Sequence, residues 1–200
     1  AAVVNLPKLK THGLTVLTGA VKNLYGLIPG YRKSILHARF VSAADFSSFL
    51  AVFYASVRSR LVFTLADAVD AMEGDGPSAG TVRRLGLLVG GRDALAVDVV
   101  CARLLGIPAD RLPVLRACGE LLGLPDVEIA GDAVAPVADF RLPATVRRAA
   151  GAVAFLAPVL APFSPFFRIE PEIDPAVCRR CGACRRVCGV AAIGEELKVD

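Results

Sequence analysis

Lysine is nearly missing from this chain. Of its 23 basic residues only Lys8, Lys10, Lys22, Lys33 and Lys198 are lysine, and histidine is scarcer still, with His12 and His37 alone. Four of the five lysines and both histidines therefore share one opening segment, and no lysine occurs between Lys33 and Lys198. A compact ammonium and a planar guanidinium are not interchangeable, so the segment is a candidate anion-binding site. The alternative is a solvated basic face.

Other absences narrow the class. The low hydrophobicity that marks disorder is not found, because 54% of the residues are hydrophobic, which is ample for a buried core. Residues 1–60 carry eight Lys/Arg against Asp45 alone, yet show neither aromatic interleaving nor a recognisable nucleic-acid module. An anionic small molecule is thus the expected partner and nucleic acid is not. The balance then reverses, with six basic residues against twelve acids over 61–140 and nine against six over 141–200. No export signal is in view, so a cytoplasmic location is expected. The chain starts at Ala1 without a methionine and stops just after a motif, and it is expected to be a fragment of a longer protein.

What is present reads as alternating strands and helices. Residues 2–6 form an apolar strand, and Pro7 to His12 read as the loop leaving it. A short helix fits Thr18 to Leu27, ended by Gly26 and the Pro29-Gly30 turn. Ser42 with Asp45 makes a capping box for a helix over 43–58, on which Phe46, Phe49, Leu50, Phe53 and Val57 recur at helical spacing. Continuous apolar runs at 61–65 and 85–89 suit strands covered on both faces. Asp93 caps a helix ending near Pro108, and another fits Arg111 to Leu122. The expectation is an α/β fold, a mostly parallel sheet flanked by helices, over residues 1–145.

Residues 149–167 are uncharged for nineteen positions, long enough to span a bilayer. Pro158, Pro162 and Pro165 argue against a span, since each removes a backbone donor that lipid cannot replace. An apolar, proline-rich linker over 146–169 is expected, with peripheral membrane contact as the alternative.

Cys101 and Cys118 stand alone in apolar helical patterns and read as core residues. Cys178, Cys181, Cys184 and Cys188 follow the spacing C-x2-C-x2-C-x3-C of bacterial ferredoxins. Short gaps let Cys178, Cys181 and Cys184 hold three irons of one 4Fe–4S cubane, with Cys188 serving the same or a second cluster. Zinc sites separate their cysteine pairs by a dozen or more residues, and a disulfide framework suits smaller, loop-rich chains. Arg179, Arg180, Arg185 and Arg186 stand between the ligands and suggest an acidic redox partner protein. Residues 170–200 are therefore expected to be a truncated ferredoxin-like segment. A fourth candidate is Asp67, Asp70, Glu73 and Asp75, placed after the strand at 61–65. They could bind a hard cation or act as acid–base groups, or serve as turn and cap residues.

The strings Asn5-Leu6-Pro7-Lys8-Leu9-Lys10-Thr11-His12, residues 18–26, Ala71-Met72-Glu73-Gly74-Asp75-Gly76-Pro77 and the Asp93 to Asp98 stretch resemble the domain-of-unknown-function 362 family of ferredoxin-linked iron–sulfur proteins. The resemblance implies a further α/β portion ahead of this region and a two-cluster ferredoxin-like module behind it. Gly189 stands where the ferredoxin run usually has proline. The expected function is a 4Fe–4S redox protein, an iron–sulfur oxidoreductase acting on an anionic ligand held by the Lys/His group. A non-catalytic electron carrier or docking module, and a ligand-binding or isomerase-like domain with a structural cluster, are the alternatives.

Overall fold

In the computed structural model five strands make one sheet: β1 (Val3–Asn5), β2 (Lys8–His12), β3 (Val16–Thr18), β4 (Leu61–Asp75) and β5 (Ala79–Gly91). The structure describes residues 1–40, 42–145, 173–188 and 193–194, and the chain divides into two compact units, Ala1–Gly151 and Ala152–Asp200. The linker expected over 146–169 lies outside the described residues. Among the described residues the first unit adds α1 (Ala20–Asn23), α2 (Arg32–Arg39), α3 (Ala43–Val57), α4 (Ala94–Leu104) and α5 (Pro113–Leu122) to the sheet, and the second unit contains α6 (Ala183–Val187).

The first unit has the expected α/β fold, organised on β4. Strands β1 and β2 run parallel to it in succession, pairing Val4 with Phe63, Lys8 with Asp67 and Lys10 with Met72. Two antiparallel strands complete the sheet. β5 follows β4 from Thr64 opposite Gly91 to Asp75 opposite Ala79, and β3 pairs β2 through Lys10 opposite Thr18 and His12 opposite Val16.

Lys8–His12, expected as part of a loop, is a strand. Leu9 and Thr11 turn into the core while Lys8, Lys10 and His12 occupy the other face, so the period-two pattern is present but carried by charged residues. The acidic group is likewise within a strand, because β4 continues to Asp75. A bulge between Ala68 and Asp70 shifts its phase, so Thr64, Ala66 and Ala68 are buried before it and Ala71 and Glu73 after it. That slip hides the alternation from a reading of the sequence.

Alanines at 66, 68 and 71 leave room for α4 to approach the sheet, and α3 packs on α5 beside it. Ser42 and Asp93 cap α3 and α4 as expected: Ser42 Oγ accepts from Asp45 N at 3.0 Å, and Asp93 Oδ1 accepts from Leu95 N and Ala96 N at 2.7 and 3.1 Å. Tyr54 donates to the same Asp93 oxygen at 2.8 Å, joining α3 to the start of α4. Leu9, Leu17, Val21, Phe46, Leu50 and Leu115 fill the core between these elements.

Candidate functional site

The start of α1 is fixed from two sides. Asp98, buried on α4, accepts from Ala20 N at 2.5 Å and Val21 N at 2.9 Å, which satisfies two of the orphan donors of a helix start. Asn5, buried at the end of β1, donates through Nδ2 to Ala20 O at 2.9 Å and accepts from Asn23 Nδ2 at 2.9 Å. These bonds set the helix that carries Lys22.

Lys22 stands within electrostatic reach of Lys10, His12 and His37. Burial, reinforced by Lys10, brings its amine down to about 8. Burial, then Lys22, His37 and Lys10, brings His12 down to about 4, and burial followed by Lys22 lowers His37. Like charges and desolvation act in the same direction on all three groups. The two imidazoles stack with centroids 6.5 Å apart, and His37 lies against the Phe46 ring at 4.3 Å with the edge of Tyr25 at 5.6 Å. Among the described residues, neither Lys10 nor Lys22 makes an ion pair. The structure thus brings together Lys10, His12, Lys22 and His37, four of the residues expected at an anion site.

It separates the others. Lys8 pairs with Asp67 at 2.6 Å on an exposed part of the sheet, a contact of small energetic value. Asp67 also accepts from Val69 N, and with the Lys8 bond this lowers its pKa. Glu73 is 4% exposed and accepts from Arg141 through both Nε (2.9 Å) and backbone N (3.2 Å). Burial alone would raise its pKa, but the Arg141 bonds prevail and lower it. Asp75 accepts from Ala144 N at 2.6 Å, and Asp70 is exposed. The capping and pairing alternative therefore describes Asp67, Glu73 and Asp75.

Two residues of the site carry little signal in the sequence. Asn5 interrupts an apolar run, which is the mark of a buried polar role. Thr18 Oγ1 is buried without a hydrogen-bond partner, and its position opposite Lys10 emerges only from strand register.

In the second unit Cys178 and Cys188 are half-buried and Cys181 and Cys184 exposed. Arg180 N donates to Cys178 Sγ at 3.4 Å, and Gly182 takes a left-handed φ of 66° at the turn into α6, where Cys184 sits. Among the described residues no three His, Cys, Asp or Glu side chains are gathered as metal ligands. The donor set itself fits an iron–sulfur cluster: four thiols at the right spacing, a glycine in the tight loop, and a backbone N–H directed at a sulfur.

An α/β domain with a cluster of lysines and histidines beside its strands, followed in sequence by a ferredoxin-spaced cysteine run, is the class these features define. The chain belongs to the family described as Domain of unknown function (DUF362), whose model matches residues 1–103. It is also similar to Thylakoid-associated protein sll1697 of Synechocystis sp., 36% identical over 123 residues, which are 61% of this chain and 37% of that protein. The chain thus spans little more than a third of this relative. No solved structure matches it. No helix among the described residues is long and apolar enough to cross a membrane.

Proposed function

We propose that this chain is the anion-binding and cluster-binding part of a 4Fe–4S redox protein. The observation that carries the reading is the gathering of Lys10, His12, Lys22 and His37, with neither lysine paired to a carboxylate among the described residues. Concentrating cations against their own repulsion is costly, and a negative ligand removes the cost. The α/β unit holds an anionic substrate or cofactor on these residues. Cys178, Cys181 and Cys184 would hold a cluster with Cys188 as its fourth ligand or a ligand of a second one, and the bound cluster supplies one-electron chemistry. An oxidoreductase is therefore the enzyme class proposed. A cytoplasmic location suits it, since reducing conditions preserve thiolate ligands.

One observation favours a docking role beside it. Arg179, Arg180, Arg185 and Arg186 are exposed around the cysteines together with Val177 and Val187, a surface suited to an acidic redox protein.

The test begins with protein purified under argon and assayed for iron, sulfide and zinc. The dithionite-reduced protein is then screened against anionic metabolites for reoxidation of a visible absorption band. Turnover that disappears in Lys22→Met and His12→Gln supports the enzyme, and electron transfer to an acidic carrier alone supports docking. Stoichiometric zinc without iron ends the redox reading.

A further inference from the structure

Resting on the anion-binding reading of the same pocket, we propose that its ligand is a tetrahedral dianion, a phosphate group, received by Lys10, Lys22, the Thr18 hydroxyl and the Nε2–H of His12. Thr18 is 6% exposed and its Oγ1 has no partner. Buried hydroxyls are hydrogen-bonded as a rule, and one left alone beside a cation invites an explanation. Thr18 lies directly opposite Lys10 in the antiparallel β2–β3 ladder, and residues so opposed project to the same face of the sheet. The hydroxyl therefore belongs to the Lys10 side, where His12 also projects two residues further along β2.

His12 adds a donor of fixed kind. Its Nδ1 faces the backbone N–H groups of Leu14 and Thr15 at 3.2 and 3.4 Å, so the ring nitrogen acts as acceptor there and the proton resides on Nε2. A second proton would have to displace both N–H contacts, which accords with the strongly lowered basicity of this ring. His37 is the other imidazole in reach of Lys22, and the Asp98 carboxylate, which lines a small cavity with Lys22, is taken up by the N–H groups of Ala20 and Val21. The cluster thus offers two ammonium groups, an imidazole N–H and a buried hydroxyl without a partner, and neither lysine is paired with a carboxylate among the described residues.

Charge and valence then choose the ligand. Two cations beside neutral imidazoles are balanced by two negative charges, whereas a single carboxylate leaves one ammonium uncompensated. A dicarboxylate has the charge but divides it between separated ends. A phosphate group presents three or four oxygens on one centre to donors that arrive from β2, β3 and α1, and hydrogen bonds to such ionised oxygens are the strong ones.

The experiment is isothermal titration of the full chain at pH 7 with inorganic phosphate, glycerol 3-phosphate, malonate and acetate. Binding of phosphate or glycerol 3-phosphate in preference to both carboxylates is expected. Thr18→Val is expected to weaken phosphate about tenfold with an unchanged melting temperature, and Thr18→Ser to restore it. If Thr18→Val folds poorly, Lys22→Gln replaces it, with the His12 ring resonances of the unsubstituted protein followed during phosphate addition. Those resonances are expected to move. Malonate or acetate bound more tightly than phosphate would overturn the phosphate assignment and leave the anion reading standing. No binding by any of the four ends both. Undiminished phosphate binding by Thr18→Val, or His12 resonances that stay still, removes the proposed site.

Discussion

The carboxylate of Asp98 on α4 takes the backbone N–H of Ala20, and Gly19 lies so close beneath it that a Cβ there would overlap the Asp98 side chain. The contact is with a buried group that is itself held by two hydrogen bonds, so it cannot swing away at little cost. Gly19→Ala is therefore expected to destabilise the α/β unit by about 1–3 kcal/mol, the range for overpacking a filled interior. Because the same carboxylate sets the helix that carries Lys22, phosphate affinity should fall as well. Urea unfolding followed by titration calorimetry measures both, and an unchanged midpoint would sink the idea.

Sulfate stays doubly charged across neutral and alkaline pH and isolates the protein's own protons. Burial and the neighbouring Lys10 bring the Lys22 amine down to about 8. A bound dianion favours the charged amine, so sulfate should bind most tightly below pH 8 and lose affinity progressively above it. Lys22→Arg keeps its charge over that range and should flatten the profile between pH 7 and 9. Equal pH dependence in the two proteins would assign it elsewhere.

Acid stability follows from the imidazole. The folded state holds His12 at about 4, below the ordinary histidine value of about 6.5. Between those two pH values the unfolded chain binds more protons at this site than the folded one, so its contribution to stability rises with pH and is lost on acidification. His37 is lowered too and acts in the same sense. His12→Gln should give a shallower dependence of unfolding free energy on pH between 4 and 6.5 in urea titrations.

The six cysteines should separate into two kinds. Cys101 and Cys118 are fully buried, and burial pushes the Cys118 thiol up to about 12 and Cys101 in the same direction. With the protein reduced and metal-free, a small thiol reagent should modify Cys178, Cys181, Cys184 and Cys188 and reach the other two only in denaturant. Mass spectrometry of the native adduct distinguishes four additions from six.

The helices that announced themselves did so through caps. Ser42 with Asp45 and Asp93 with its following turn locate α3 and α4 to within a residue or two, because a cap is a local bond written in adjacent positions. Strand β2 was harder to read because its outward residues are lysine and histidine, leaving Leu9 as its one large apolar side chain. The second half of β4 was concealed by the bulge before Asp70. In the candidate site, scarcity together with the resembling strings at 5–12 and 18–26 pointed to Lys10, His12 and Lys22, and scarcity alone to His37. Thr18 and Asn5 gained meaning only from neighbours distant in sequence, since nothing near Thr18 in the chain shows that it faces Lys10.

Residues 141–145 are fastened to the far end of the sheet by Arg141 on Glu73 and Gly74, by Ala144 on Asp75, and by the Thr145 hydroxyl on Gly13 O at 2.8 Å. A recombinant boundary drawn ahead of Arg141 would strip the buried Glu73 carboxylate of both its Arg141 hydrogen bonds and leave only the charge of Arg83 acting on it. The natural place to divide this polypeptide for expression is accordingly beyond Thr145, well past the end of α5 at Leu122.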